Sequence, residues 1–144
     1  EIHPYNYRSK KYKIIEIEGI GAVYAQKLEA IGIKTTDDLL EAGASRKGRS
    51  EIAEKTGISE TLILKWTNHA DLFRIKGIAG QFAELLEAAG VDTVKEFRHR
   101  VAENLHPKLE EVNAQKHLVG RVPSLNELKE MIEIAKTLEP KLTY

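Results

Sequence analysis

Apolar residues recur along much of the chain at the three- and four-residue spacing of amphipathic helices. Glycine, serine and threonine interrupt this pattern at places typical of helix starts and stops. In the first half the pattern predicts helices over residues 22–31, 35–43, 48–56 and 59–70. Gly32 and Gly57 directly follow two of these segments, where glycine commonly ends a helix. Residues 13–17 are the one candidate for a strand.

The second half repeats this arrangement, so the chain is predicted to be all-α. Two of its segments begin with a serine or threonine followed three residues later by glutamate, which is a capping box. The predicted helices are residues 80–89 ended by Gly90, a helix from Thr93 and Glu96 through Val101, a helix with Pro107 in its first turn, and a helix from Ser124 and Glu127 through Ala135.

The repetition is closest at two glycine turns, residues 17–28 and 75–86, which lie 58 positions apart. Further along, residues 59–70 match residues 124–135, so the offset has grown to 65. We place the additional seven or so residues around 117–121. The duplication predicts two similar helical units that pack as one compact body about a pseudo-twofold axis. The predicted division is an arm, 1–13, a first unit, 14–72, and a second unit, 73–144.

The arm alternates tyrosines with basic residues, and this combination can contact nucleic acid. The interpretation we favour is a partly ordered tail that packs one or two tyrosines on the body. The residues concerned are Tyr5, Tyr7, Tyr12, Arg8, Lys10, Lys11 and Lys13.

Composition limits the function. The 144 residues hold 22 Lys plus Arg and 22 Asp plus Glu, which excludes the profile of a strongly basic nucleic-acid binder. Any such binding must rest on a local patch. The absence of cysteine excludes disulfides and thiolate metal sites. No apolar run is long enough for a membrane span and no signal-peptide pattern is present, so we expect a cytoplasmic protein without a membrane partner.

Catalytic motifs are absent as well. The five histidines show no i, i+4 pairing of metal ligands, and the sequence has neither a nucleophile elbow nor a phosphate-binding Gly-Lys-Ser/Thr loop. We therefore expect no enzymatic activity, no cofactor and no metal. The histidines are His3, His69, His99, His106 and His117.

The first turn, Ile17-Glu18-Gly19-Ile20-Gly21 followed by Ala25 and Leu28, resembles the motif of helix-hairpin-helix proteins. From residue 17 through 66, 71–77 and 142–144 the chain also resembles a poorly characterised domain-of-unknown-function family of tandem helix-hairpin-helix proteins. The resemblance implies duplicated SAM-like helical units. It also implies binding to DNA without sequence preference, usually on the minor-groove side of the backbone.

The residues offer a physical reason for phosphate binding. Glycine lets a phosphate approach the backbone closely, and the start of a helix presents unpaired N–H groups and a positive dipole end. Each turn departs from the motif. Glu16 and Glu18 lie beside the first turn, and Ala79 stands where the second turn should have its second glycine. The candidate site residues are Gly19, Ile20, Gly21, Ala22, Lys27, Arg74, Lys76, Gly77, Ile78 and Gly80.

Other interpretations stay open. The turns can simply let helices pack closely, with Tyr24 and Phe82 in the core. Residues 51–66 resemble a helix-turn-helix, but the exposed positions near the start of its second helix are Glu60 and Thr61, with no Arg or Asn to read bases. The equivalent residues 122–124 lose the pattern, so we interpret the segment as an αα-corner. Two basic clusters can add phosphate contacts or be ordinary solvated surface; they are Arg46, Lys47 and Arg49, and Arg98, His99 and Arg100.

The leading hypothesis is a non-enzymatic protein that binds nucleic-acid backbone weakly and without sequence preference. The alternative is a protein–protein interaction or scaffold module with no nucleic-acid binding, which the neutral charge favours.

Overall fold

The computed structural model describes residues 12–144, and within this range the protein is all-helical. A single 3-10 turn, Ile14–Glu16, precedes the α-helices. No helix of the described range is both long and apolar enough to cross a membrane. The α-helices are α1 Ala22–Glu29, α2 Thr36–Gly43, α3 Arg46–Thr56, α4 Glu60–Leu72, α5 Gly80–Ala88, α6 Val94–Phe97, α7 Ala102–Lys116 and α8 Leu125–Thr137.

The described residues divide into two compact units. The N-terminal unit holds residues 12–71 together with 141–144, and the C-terminal unit holds residues 72–140. In the N-terminal unit α2 packs on α3, and α1 lies against the 3-10 turn. In the C-terminal unit α7 packs on both α5 and α8, and α6 packs on α8.

The start of the described chain is held by main-chain hydrogen bonds, not by a strand. The Ile14 N–H donates to the Lys34 carbonyl, and the Thr36 N–H donates to the Tyr12 carbonyl, both at 3.0 Å. These bonds form an isolated bridge between Lys13 and Thr35, so the strand proposed for 13–17 is absent. The rest of the predicted arm lies outside the described residues.

Helix boundaries follow the sequence signals closely in the first half. The Thr35 hydroxyl accepts the Asp38 N–H at 3.1 Å, and the Asp38 carboxylate accepts the Thr35 N–H at 3.1 Å. The Ser45 hydroxyl caps α3 by accepting the Gly48 N–H at 3.0 Å, which starts that helix two residues earlier than expected. Gly57 ends α3 in the left-handed conformation, as predicted.

Three predictions for the second half are wrong. Val101 is not part of the helix that starts after Thr93; it is the N-cap of α7 and is 54% exposed. Pro107 is not in the first turn of α7, because this helix starts five residues before it. Thr93 caps α6 as expected, but the Glu96 carboxylate does not complete a capping box. It accepts a hydrogen bond from Arg100 Nε at 3.2 Å instead.

The second half is longer than the first in one helix and in one loop. Helix α7 has 15 residues where α3 has 11, and residues 117–124 precede α8 where only residues 57–59 precede α4. Asn113 orders the start of this loop. Its Oδ1 accepts the N–H groups of Leu118 and Val119, each at 2.9 Å, and its Nδ2 donates to the Val119 carbonyl at 3.0 Å.

The start of α8 makes stability depend on pH. A hydrogen bond from Arg121, then those from the Ser124 N–H and hydroxyl, lower the pKa of Glu127 to about 2. Because the folded pKa lies below the unfolded value, the carboxylate stabilises the fold above about pH 5, and this contribution falls as the pH drops towards 2. We expect Glu127→Gln to flatten the free energy of unfolding against pH between 5 and 2, measured by urea denaturation. Glu130→Gln, an exposed change on the same helix, is the control and should leave the slope unchanged.

Candidate nucleic-acid interface

The first glycine turn connects the 3-10 turn to α1. Gly19 has a φ of +93°, which favours glycine, and the buried Ile20 donates its N–H to the Ile17 carbonyl at 3.1 Å. Gly21 is the N-cap of α1 with φ −88° and ψ −177°, a conformation open to any residue. Of the two glycines of this turn, only Gly19 has a positive φ.

The second turn follows the same path up to its N-cap. Gly77 has a φ of +94°, and the Ile78 N–H donates to the Ile75 carbonyl at 3.1 Å. Ala79 takes the place of Gly21 as an extended N-cap, so its methyl group is compatible with the turn. The difference comes one residue later, where Gly80 enters α5 with a φ of +40°. The displaced glycine therefore alters the first turn of the helix and leaves the hairpin itself unchanged.

A buried side chain lies beside each turn, and the two have the same position relative to the serine that precedes their helix. A Cβ built on Gly19 would lie 3.4 Å from Trp66 Nε1, and one built on Gly77 would lie 3.3 Å from Met131 Cε. Both side chains occupy the seventh position after the serine that precedes their helix. The Trp66 ring also contacts the half-buried ring of Tyr24, with centroids 5.1 Å apart. The sequence shows that Trp66 and Met131 share this spacing, but it does not indicate that they contact the turns.

The helices that follow the two turns start without a capping side chain. Gly21 and Ala79 have no side-chain acceptor for the first N–H groups, and the same holds for Val101 at α7. The other five α-helices start with a serine or threonine hydroxyl that accepts a main-chain N–H: Thr35, Ser45, Ser59, Thr93 and Ser124. Since the first N–H groups of a helix have no intrahelical acceptor, α1 keeps them available for a ligand or water. In α5 the Phe82 N–H donates to the Ala79 carbonyl at 3.0 Å, so only the earlier N–H groups of Gly80 and Gln81 stay available.

Exposure and charge make the first turn open but acidic. Gly21, Ala22 and Glu18 are exposed, and a Cβ at Gly21 would meet no atom within 4 Å. The Glu16 carboxylate accepts the Lys13 N–H at 2.7 Å, so it is engaged in the 3-10 turn. Lys27 lies in the last turn of α1, roughly 7.5 Å along the axis from the helix start, and is not adjacent to the N–H groups.

The second turn has two basic residues that favour phosphate binding, but one of them is engaged in a hydrogen bond within the protein. Arg74 Nη2 donates to the Glu139 carbonyl at 2.7 Å, which ties this predicted phosphate ligand to the chain after α8. Lys76, directly before Gly77, is exposed. Of the three predicted basic contributors, Lys76 is therefore the one placed beside a turn and exposed.

The first basic cluster has a structural member. Arg49 is 4% exposed, and its Nη1 donates to the carbonyls of Gly43 and Ala44 at 2.8 and 3.1 Å. Its Nη2 donates to the Thr143 carbonyl at 2.7 Å. The sequence did not indicate this role, because a basic residue in a charged segment is usually solvated. Arg46 and Lys47 are exposed.

The second basic cluster is also partly engaged. Arg100 bonds the Glu96 carboxylate and donates through Nη2 to the Gly90 carbonyl at 3.1 Å, so it supports the turn after α5. Arg98 is half-buried and His99 is exposed.

Two apolar side chains near the first turn are exposed. Val23, in the first turn of α1, is 67% exposed, and Ile15, in the 3-10 turn, is 48% exposed. Exposed apolar side chains beside a candidate site favour contact with a protein over contact with phosphates.

Comparison with known proteins gives a family without an assigned function. A family model described as a domain of unknown function, DUF4332, matches residues 18–138. No curated protein and no solved structure matches the chain significantly. The matched range includes both glycine turns and all eight α-helices of the described residues.

Proposed function

This chain belongs to the domain-of-unknown-function family DUF4332, and we propose that it is a non-enzymatic tandem helix-hairpin-helix protein. In this proposal its two glycine turns bind nucleic-acid backbone weakly and without sequence preference. The duplicated SAM-like units are part of the same proposal, and their pseudo-twofold packing stays a prediction.

Local geometry supports the duplication. Gly19 and Gly77 share a φ near +93°, and Gly32 and Gly90, which follow α1 and α5, have φ values of +89° and +94°. Thr35 and Thr93 then cap the next helix through the same hydroxyl contact. These pairs keep the 58-residue offset in sequence.

The observation that carries the binding proposal is that α1 and α5 both begin without a capping side chain. Each follows a turn that needs glycine, and each lacks the hydroxyl cap found at five other helices. Unpaired N–H groups at the positive end of a helix dipole are well suited to a phosphate oxygen. Such contacts reach the backbone and carry no base information, so binding should be independent of sequence.

Charge makes this binding weak. The net charge is zero, Glu18 lies beside the first turn, and Lys76 is the exposed cation beside the second. Long-range attraction to nucleic acid is therefore small, and affinity depends on local contacts.

A titration of labelled duplex and single-stranded DNA by fluorescence anisotropy tests the proposal. With about one phosphate neutralised, by Lys76 beside the second turn, the dissociation constant for duplex DNA should rise roughly three- to fourfold between about 50 and 200 mM salt. Oligonucleotides of unrelated sequence should bind equally. Absence of binding at 50 mM salt, or an affinity that does not change with salt, would contradict the proposal.

The second candidate is a protein–protein interaction module, which exposed Val23 and Ile15 favour. In that case the first turn packs against a polypeptide, and light scattering should find a defined oligomer that has no affinity for DNA. A double substitution, Val23→Ser and Ile15→Ser, should dissociate that oligomer. Under the nucleic-acid proposal the same substitutions leave DNA binding unchanged, because neither side chain supplies a phosphate contact.

A further inference from the structure

Residues 141–144 leave the unit that precedes them in the chain. Helix α8 and residues 138–140 belong to the C-terminal unit, whereas residues 141–144 belong to the N-terminal unit. The Glu139 carbonyl is held by Arg74, so the connection between the two attachments is short. The four residues 141–144 are called the C-terminal segment below.

The polar contacts of this segment are mainly main-chain. The Thr143 N–H donates to the Ala44 carbonyl at 2.8 Å, and the Thr143 carbonyl accepts Arg49 Nη2 at 2.7 Å. The Arg49 guanidinium also lies over the Tyr144 ring, 5.6 Å from its centroid. The segment is therefore held mainly through its main chain, and any copy of this chain presents the same groups.

Little apolar surface secures the segment. Leu142 is half-buried, Lys141 and Thr143 are exposed, and Tyr144 is 70% exposed. Segments with few buried apolar contacts open at a small fraction of the global cost of unfolding. The segment should therefore detach often while the two units stay folded.

The site left behind favours refilling. Arg49 is 4% exposed, and it loses one of three carbonyl acceptors and its aromatic contact when the segment detaches. The Arg49 Nη2 is then left without its protein acceptor, and a carbonyl of another polypeptide can restore this hydrogen bond. Beside it an open groove of about 260 Å³ includes Leu64 and Arg46.

We propose that the Arg49 site is a docking site for an extended segment, and that the C-terminal segment of a second copy of this chain occupies it in trans. The exchange joins two copies with the same contacts that each copy makes alone. A short connection keeps the attached segment at an effective concentration on the order of millimolar, so exchange becomes appreciable as the protein approaches that concentration.

Because the chain has no cysteine, disulfide trapping can test the exchange directly. Ala44→Cys in one full-length copy and Thr143→Cys in another place one thiol at each side of the Thr143–Ala44 hydrogen bond. The two copies are mixed at about 1 mM with oxidised glutathione, and dimers are counted by non-reducing gel and mass spectrometry. We expect a disulfide-linked heterodimer whose yield increases with protein concentration.

Three matched variants make the result specific. The double variant, Ala44→Cys with Thr143→Cys, should close within one chain at low concentration. Arg49→Lys in the Ala44→Cys copy keeps the charge but removes the planar fork, and should reduce the heterodimer several-fold. Lys55→Arg, an exposed change on α3 outside the groove, should leave the yield unchanged.

Random collisions are measured with Glu54→Cys, an exposed position on α3, in place of Ala44→Cys. A heterodimer yield at 1 mM no higher than that of this control would overturn the proposal. Failure of the double variant to close would overturn it too, because the docked segment would then be absent. The experiment contains no nucleic acid, so its outcome is independent of the proposed backbone binding.

Discussion

Replacing Trp66 with alanine should lower the free energy of unfolding by about 3–5 kcal/mol, the usual cost of truncating a large buried aromatic side chain. Trp66 is 1% exposed, contacts the Tyr24 ring, and lies next to the Gly19 turn. The truncation removes the contact of α4 with the Tyr24 ring and its contact with the Gly19 turn at the same time. Since whole domains are stable by about 5–15 kcal/mol, this loss is a large part of the total free energy of unfolding.

Urea denaturation followed by far-UV circular dichroism measures this effect. Fluorescence is unsuitable because Trp66 is the single tryptophan of the chain. Thr61→Ala, an exposed change on the same helix, is the control and should alter stability by no more than about 0.5 kcal/mol. A loss below about 1 kcal/mol for Trp66→Ala would contradict a central packing role for this side chain.

Gly21→Asp should remove nucleic-acid binding at the first turn without destabilising the fold. Gly21 has an extended conformation and open space around it, and aspartate is a preferred N-cap residue. The new carboxylate accepts the N–H groups of Val23 or Tyr24 that a phosphate would use, and its charge repels phosphate. Since hydrogen bonds to charged groups contribute about 1.5–3 kcal/mol, affinity for DNA at low salt should fall at least about tenfold.

Two matched substitutions separate the effect of the carboxylate from that of any side chain. Gly21→Ala keeps the N–H groups free and should bind DNA like the unchanged protein, as Ala79 already occupies the equivalent place. Ala79→Asp should weaken binding at the second turn. Thermal unfolding of each variant serves as the check on folding. Equal affinity of the Gly21→Asp and Gly21→Ala variants would contradict phosphate binding at the first turn.

Local signals in the sequence predicted much of the helical structure. Ser124 and Glu127 form the expected capping box, and Gly57 ends α3 as expected, because caps depend on a few neighbouring residues. The errors arise where two local arrangements are both compatible with the sequence, which does not show which of them is more stable. The Glu96 carboxylate can accept a hydrogen bond either from the main-chain N–H of Thr93 or from Arg100, and in the structure it accepts the one from Arg100. Pro107 fits a first turn, but α7 starts earlier, at Ala102.

The glycines identified the two turns as the candidate site, but the sequence did not show which glycine needs a positive φ or which cations are engaged. Positive φ at Gly19 and Gly77 agrees with their place in the motif, whereas Gly21 has no such requirement. Arg74 is a predicted ligand by charge and position. Its bond to Glu139 joins residues 65 positions apart, and no local pattern indicates it.

Most helices and caps and both glycine turns follow from residues a few positions apart, and the 58-residue repeat is visible in the sequence. Which cations are available and which are engaged depends instead on contacts between residues far apart in the chain. Arg49 is buried among the carbonyls of Gly43, Ala44 and Thr143, while Lys76 stays exposed beside its turn. Both are basic residues in charged segments, and burial by distant parts of the chain is what distinguishes them.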